Sequence, residues 1–334
     1  MTQRPENHVR MFRTVKNTLD LPDIMSNVSK ILVAYSGGVD SSVLLHLMKD
    51  YHHAFGINVS VAHINHGLRG KESDRDADFC RETAREMGFH FYLKKLSLGK
   101  KHVSEHVLRS ERYRSLCQVA KEAQAQRIFL AHHLDDQVET LLFRLFTGTD
   151  ISGLSGIQPF RKPYFVRPLL KIPRNAILLE AELCQISYVL DSSNLLTHPK
   201  RNFIRRQLIP LIQTQMNPQV SKHLAYLSES FNACKVLIAK EVAALKRSAI
   251  SGENRYSITQ FKLAPKIIQS QLIMNLYREA VSGYSGLRRE QIMLARKLLL
   301  SKKNEAYVQL PKGIICRKQG DFFLMENAKK GAKS

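Results

Sequence analysis

Apolar residues follow two patterns along this chain. Ile31-Leu32-Val33-Ala34-Tyr35 is a short unbroken apolar run, and comparable runs cover residues 57–64, 89–93 and 127–131. Each has the length of a strand buried on both faces and is bounded by polar or glycine-containing segments. Between the runs, apolar positions fall three and four apart, as on one side of a helix. Val43, Leu44, Leu47 and Met48 mark the first such helix, over residues 41–49, and others are expected over 74–87, 104–125 and 135–146. Ser73 is the expected cap of the second of these and Gly88 its stop. Strands alternating with helices predict an α/β fold, a doubly wound parallel sheet covered on both faces. Right-handed crossovers place all the strand ends on one side, where ligands bind in such sheets. Ser36, His63 and His132 each follow an expected strand, so three polar clusters should converge on one rim.

The pattern also sets a domain organisation. Residues 1–29 read as a short amphipathic helix and a linker, and 30–214 as the α/β catalytic domain. Glycines and prolines over 147–172 imply loops around a short strand near Phe165-Val166, and a helix follows over 174–184. Residues 215–328 read as a mainly helical domain that ends in short strands near 305–310, 314–317 and 321–325, with turns at Lys312-Gly313 and Gly320-Asp321. Its first helix carries a stripe from Val220 through Leu227, Cys234 and Val242 to Leu245, which reads as packing. Residues 329–334 are expected to be a disordered tail.

Charge narrows the partners. The 334 residues include 51 Lys and Arg against 29 Asp and Glu, a formal charge of +22. A polyanion, above all nucleic acid, is the partner that such an excess suits. The second domain contributes Lys235, Lys240, Lys246, Arg247, Arg288, Arg289, Arg296, Lys297, Lys302 and Lys303. The five cysteines are scattered and form no Cys-x-x-Cys, which argues against a disulfide framework, a zinc ribbon or an iron–sulfur cluster. The charged N-terminus lacks the apolar run of a signal peptide and no segment reaches transmembrane length, so a cytoplasmic protein with no membrane partner is expected.

The densest chemistry lies in Ser36-Gly37-Gly38-Val39-Asp40-Ser41-Ser42, between a strand and a helix. Glycines let the backbone approach an anion, and the helix N-terminus offers free amides and a favourable dipole. The loop lacks the lysine that grips β- and γ-phosphates. Asp40 fits a nucleotide that arrives with Mg²⁺. Arg109 and Arg112 lie three apart on one expected helix, as do Asp136 and Glu139 on another. Guanidinium groups can brace phosphate oxygens. Paired carboxylates can hold Mg²⁺ or an ammonium group, or accept a proton. His63 with His66, and His132 with His133, are open between nucleotide or RNA contact and ordinary strand-end positions.

This loop resembles that of the PP-loop ATP pyrophosphatase superfamily, whose members cleave ATP between the α- and β-phosphates and adenylylate a carbonyl oxygen. Further motifs follow: His63-Ile64-Asn65-His66-Gly67-Leu68-Arg69, Arg109-Ser110-Glu111-Arg112-Tyr113, Ala131-His132-His133-Leu134-Asp135-Asp136, Arg167-Pro168-Leu169-Leu170 with Arg174, and Asp191-Ser192-Ser193-Asn194 with Arg201-Asn202-Phe203-Ile204-Arg205. In this order they resemble the tRNA(Ile)-lysidine synthetase family in its shorter form, strongly over residues 30–212. Ala131 departs from the glycine that the family often has there.

The resemblance implies two steps, adenylylation of the wobble cytidine C2 oxygen and displacement of AMP by the ε-amine of lysine. It implies ATP and Mg²⁺, free L-lysine, and tRNA(Ile) with a CAU anticodon. ATP is expected at Ala34, Ser36, Gly37, Gly38, Val39, Asp40, Ser41 and His63, with Mg²⁺ at Asp40 and Asp136. Asp40, Arg112, His132, Asp136 and Glu139 are the catalytic candidates. His66, Arg69, Glu72, Arg109, Asn194, Arg201, Asn202 and Arg205 are candidates for contact with lysine or tRNA. A homodimer is left open. The competing readings are another PP-loop tRNA modifier of the cytidine-thiolase type and a catalytically inactive tRNA-binding protein.

Overall fold

The computed structural model describes residues 5–67, 70–96, 105–162, 164–189, 199–252, 254–281 and 286–327. Arg69, Asn194 and the tail at 329–334 lie outside them. The chain forms two compact units, Met1–Phe231 and Asn232–Ser334. They divide within the helix Val220–Ala249, whereas the domain boundary expected at 214/215 falls at the end of the helix before it.

The first unit is built on strands β1 (Lys30–Ala34), β2 (Asn58–Asn65), β3 (His90–Lys95), β4 (Arg127–Phe129), β5 (Phe160–Arg161) and β6 (Phe165–Val166), in the order β3-β2-β1-β4-β6-β5. All neighbours pair in parallel except β5 with β6. Its main helices are α1 (Glu6–Leu19), α2 (Val39–Phe55), α3 (Lys71–Glu86), α4 (Glu105–Glu122), α5 (Leu134–Thr147), the short α6 (Ile151–Leu154) and α7 (Arg174–Leu183). After α8 (Pro199–Phe203), a π-helical turn (Ile204–Leu208) leads into α9 (Ile209–Gln215).

Successive strand residues point to opposite faces, and the apolar runs supply both. Ile31, Val33, Val59, Val61, Phe129 and Val166 pack with residues of α1, α2, α3 and α7. Leu32, Ala62, Ile128 and Phe165 pack instead with Leu116, Val119 and Ala120 of α4. Topology explains the division. From β1 to β3 the chain steps outward in one direction, and α4 then carries it back to β4 on the far side of β1. A right-handed crossover in the reversed direction must lie on the other face. The reversal point, between the ends of β1 and β4, is where a crevice opens.

Two local expectations are corrected. His63 lies inside β2 rather than after it. That strand continues along β3 to Asn65↔Lys95, whereas its pairing with β1 stops at Ala34↔Ala62, so its last residues overhang the end of β1. Ser73 does not cap α3: the helix starts earlier, from Gly70 in a positive-φ conformation, and Ser73 is buried inside it.

The N-terminal helix is pinned by a charge cluster. His8 Nε2 is 3.0 Å from Asp50 of α2, and its Nδ1 is 2.5 Å from Glu180 of α7. Asn7 donates to the other Glu180 oxygen at 2.7 Å, and the Cys184 thiol donates at 3.3 Å. Asp50 and then Glu180 overcome burial and raise the His8 pKa from 6.5 to about 9. The charged form is therefore favoured by folding. Its contribution, roughly 3 kcal/mol at 1.36 kcal/mol per pKa unit, is complete below pH 6.5 and is lost as pH rises through about 9. Melting curves of the native chain and His8→Gln across pH 6–9.5 should show the largest gap at pH 6 and a closing gap toward the alkaline end.

In the second unit, α10 (Val220–Ala249) is followed by β7 (Arg255–Ser257), α11 (Ile258–Leu263), α12 (Lys266–Val281), α13 (Arg289–Leu300), β8 (Glu305–Leu310), β9 (Ile314–Gln319) and β10 (Phe322–Asn327). The strands form an antiparallel sheet in the order β7-β10-β9-β8. Lys312 and Gly313, both at positive φ, make the β8–β9 turn. The stripe expected along α10 serves two cores. Leu224 packs with the first, Val242 and Leu245 belong to the second, and Leu227 and Cys234 between them are exposed. Tyr277 is fully buried, whereas Tyr307 is exposed. No helix among the described residues is long and apolar enough to cross a membrane.

Candidate active site

At the end of β1 the chain turns through Ser36-Gly37-Gly38 into α2. Gly37 adopts φ +86°, and a Cβ there would lie 3.2 Å from Cys80 Sγ and 3.5 Å from the Phe79 ring. Only glycine meets both demands. The serines divide their work. Ser41 Oγ donates to the Gly38 carbonyl at 2.9 Å and lies 3.1 Å from Ser36 Oγ, which fixes the curve of the loop. Ser42, the last residue of the loop motif, is buried and its hydroxyl meets the Gly37 carbonyl and the Tyr35 hydroxyl. Gly37→Ala should therefore lift the loop. With left-handed backbone costing roughly 1–2 kcal/mol for a non-glycine residue, ATP affinity measured by calorimetry should fall about 10-fold or more.

The loop forms one side of a cavity of about 750 Å³. Ala34, Ser36, Gly38, Val39, Asp40, Ser41, His63, His66, Arg112, His132 and Asp136 all line it, together with Asn65, Ser73, Asp76, Arg174 and Tyr188, which had no assigned role. Gly37 shapes the loop from behind. Glu139, Glu72, Arg109, Arg201, Asn202 and Arg205 are not among the lining residues.

The wall nearest α4 is cationic. Arg112 forms no ion pair among the described residues, and its Nε is buried without a partner. Burial and the charge of Arg109 oppose its positive form. Arg167, 3% exposed, donates to the Gln158 carbonyl and is likewise disfavoured by burial. Arg109 stacks over Tyr113 at 5.6 Å. Burial and these cations keep the neighbouring histidines neutral. His132 is held well below 6.5 by burial, then by Arg167 and Arg112, and His66 is lowered by burial and Arg112. His63 is lowered by burial, and its Nδ1 lies 2.9 Å from the Tyr35 carbonyl.

The opposite wall, at the start of α5, is acidic. His133 is buried among three carboxylates, 3.6 Å from Asp135, 3.6 Å from Asp136 and 3.8 Å from Asp40. Burial works against its charge, but Asp135, Asp136 and Asp40 outweigh that and raise its pKa. Asp135 in turn accepts the Arg174 amide at 2.8 Å, tying the start of α7 to that of α5. Asp40 is raised chiefly by burial, and its Oδ1 has no hydrogen-bond partner. Asp136 accepts from the His133 amide at 3.1 Å and from Arg205 at 3.0 Å. Glu139 is buried one turn further along and is gripped by Arg205 at 2.9 Å, with Arg201 at 3.8 Å. The shared face of Asp136 and Glu139 is thus real, and Arg205 bridges it. Outside the cavity, His8, Glu180 and Cys184 place three potential ligand atoms within 4.8 Å, but these atoms are engaged in hydrogen bonds to one another, to Asp50 and to Asn7.

A crevice at the reversal of a doubly wound sheet, with a glycine loop leading into a helix, defines a nucleotide-binding α/β protein. Residues 7–212 match the PP-loop domain, and the chain belongs to that family. The tRNA(Ile)-lysidine synthase of Clostridium acetobutylicum is 33% identical over 66% of this chain and 49% of its own length. That of Clostridioides difficile is 26% identical over 95% of this chain and 71% of its own. The chain spans about half the length of most of the curated relatives it matches. Among solved structures, the U34-tRNA thiolase NcsA from Methanococcus maripaludis, with its [4Fe-4S] cluster, superposes with a TM-score of 0.57 at 21% identity. The superposition covers 67% of this chain and 79% of NcsA and establishes the shared fold.

Proposed function

We propose that this chain is a tRNA(Ile)-lysidine synthetase, which adenylylates the C2 oxygen of the wobble cytidine in a CAU-anticodon tRNA(Ile) and then joins it to free L-lysine. The observation that carries this reading is the divided cavity. A buried guanidinium without an acidic partner, Arg112, faces the same space as the Ser36–Ser41 loop and an acid cluster. Arg112 and the α2 amides suit the α-phosphate and the charge that develops on it. His132, neutral and with Nδ1 unpaired, suits the edge of a nucleobase. The charge of +22 and the names of the relatives favour tRNA as the polyanion.

Mg²⁺ fits the acid wall. The Asp40 Oδ1, which accepts no hydrogen bond and has only the Arg174 guanidinium 4.0 Å away, and the Asp136 carboxylate are hard oxygen donors lining the cavity beside the loop. A bound Mg²⁺ would neutralise charge on the leaving pyrophosphate. The chain's own residues do the remaining work. The lysine ε-ammonium, with a reference pKa of about 10.4, must lose a proton before it attacks. Asp136 is the acid assigned to take it, because it lines the cavity, whereas Glu139 is set back from it between Arg201 and Arg205. His66, Arg69, Glu72, Arg109, Asn194, Arg201, Asn202 and Arg205 are assigned to the surrounding lysine and RNA contacts.

A thiolase reading is not favoured, since no cysteine lines the cavity among the described residues. Cys80, behind the loop, is buried and its pKa is pushed far up by burial. The test is pyrophosphate release from ATP with Mg²⁺, lysine and tRNA, each omitted in turn. Release that requires the CAU tRNA(Ile), with labelled lysine entering the RNA, is expected. Release without lysine incorporation would redirect the assignment to another modifier, and tRNA binding without release to an inactive binder.

A further inference from the structure

A second concavity lies beside the active site and has a different character. It measures about 570 Å³ and is lined by Phe143, Phe146 and Thr147 of α5 and by Lys200, Phe203, Ile204 and Leu208 across from them. Phe146 is 63% exposed and Phe203 51% exposed, a large amount of aromatic surface to leave in water.

Two features indicate what it holds. The first is its alignment with the cavity. Asp136, Glu139, Phe143 and Phe146 recur at three- and four-residue steps, so one stripe of α5 runs from the acid wall to the groove. At 1.5 Å per residue the separation is about 15 Å, which a nucleic-acid strand covers in a few nucleotides at about 3.4 Å per stacked step. The second is charge. Lys200 lines the groove, and the Arg201 guanidinium lies over the Phe143 ring at 5.2 Å. Apolar rings inside a cationic border are complementary to a base attached to a phosphate backbone, because unpaired bases stack on aromatic rings while the backbone follows positive charge.

We propose that the groove between α5 and the Lys200–Leu208 segment is a stacking site for an unpaired base of the same RNA loop whose target nucleotide enters the cavity. This rests on the tRNA reading above and adds to it a separate aromatic subsite. Stacking does not distinguish bases strongly, so the subsite holds the loop in place and leaves sequence reading to other contacts.

The experiment is equilibrium binding of the full chain to a CAU-loop RNA hairpin at several salt concentrations, repeated with hairpins abasic at each loop position in turn. Phe146→Ala and Phe203→Ala should each weaken binding roughly 10- to 100-fold. The slope of log affinity against log salt should not change, because phosphate contacts are kept. Phe146→Trp should restore affinity. One abasic hairpin should lose the same factor with the native chain and nothing further with Phe146→Ala. Unchanged RNA affinity in both alanine variants overturns the proposal, and so does a sedimentation shift from dimer to monomer in those variants with RNA affinity intact, which would make the groove a contact between copies. A native chain that binds the hairpin in none of these conditions overturns both this proposal and the tRNA reading.

Discussion

Arg112→Met is expected to slow tRNA-dependent pyrophosphate release by about 10²–10³-fold, the usual effect of removing one preorganised charge that faces a developing anion. The same change should not weaken the fold. Arg112 has no ion pair among the described residues, and burial already opposes its charge. A buried cation without a carboxylate partner, supported only by the Tyr113 ring at 5.8 Å, is a cost of folding, so an apolar side chain of similar length should leave stability unchanged or raise it. Opposite effects on rate and melting temperature are what separate a functional cation from a structural one. Parallel losses in single-turnover rate and melting temperature would show that Arg112 is mainly a packing residue.

Arg205→Met should behave in the reverse way. The guanidinium bridges Glu139 at 2.9 Å and Asp136 at 3.0 Å, and without it Glu139, 9% exposed at its side chain, is left buried beside a like charge with only Arg201, 3.8 Å away, to offset it. Breaking a fully buried pair costs roughly 3–5 kcal/mol; with Arg205 41% exposed, about 2 kcal/mol is expected after allowance for solvent screening. Denaturant titration checks this. Adding Glu139→Leu should restore most of the stability, because it removes the stranded carboxylate. It should not restore lysine incorporation if Arg205 is needed to hold Asp136 at the cavity. Recovery of both would make the bridge purely structural.

Much of the fold could be read from the sequence because its strands are unbroken apolar runs and its helices are amphipathic. The parallel order followed from the alternation of elements, and the loop at Ser36–Ser41 lay where the strand-end rule put it. Less legible was anything set by relative strand length. His63 reads as a post-strand residue until β2 is seen to overhang β1. Glu139 reads as the twin of Asp136 on one helical face, and only the return of Arg205 from far along the chain shows that it is bridged and set back from the cavity. Arg167 stood in a visible motif, but its burial depends on packing that no local pattern encodes. His133 was ambiguous for a similar reason, since its charge depends on burial set against Asp135, Asp136 and the sequence-distant Asp40. The short β7 and α11 carry too few residues for periodicity to register.

The placement of β1 between β2 and β4 also bears on the order of events during synthesis. Ile31–Val33 must pair with Arg127–Phe129 before the crevice has a second side. The glycine loop thus emerges from the ribosome long before its opposite wall. Closing so long a stretch of chain delays assembly, since distant pairings form more slowly than neighbouring ones. Until β4 docks, the nascent chain exposes one edge of β1, an edge suited to pairing with other strands. Nucleotide capture should therefore begin abruptly, once about 130 residues have cleared the exit tunnel, and chains arrested earlier should depend on chaperones to remain soluble.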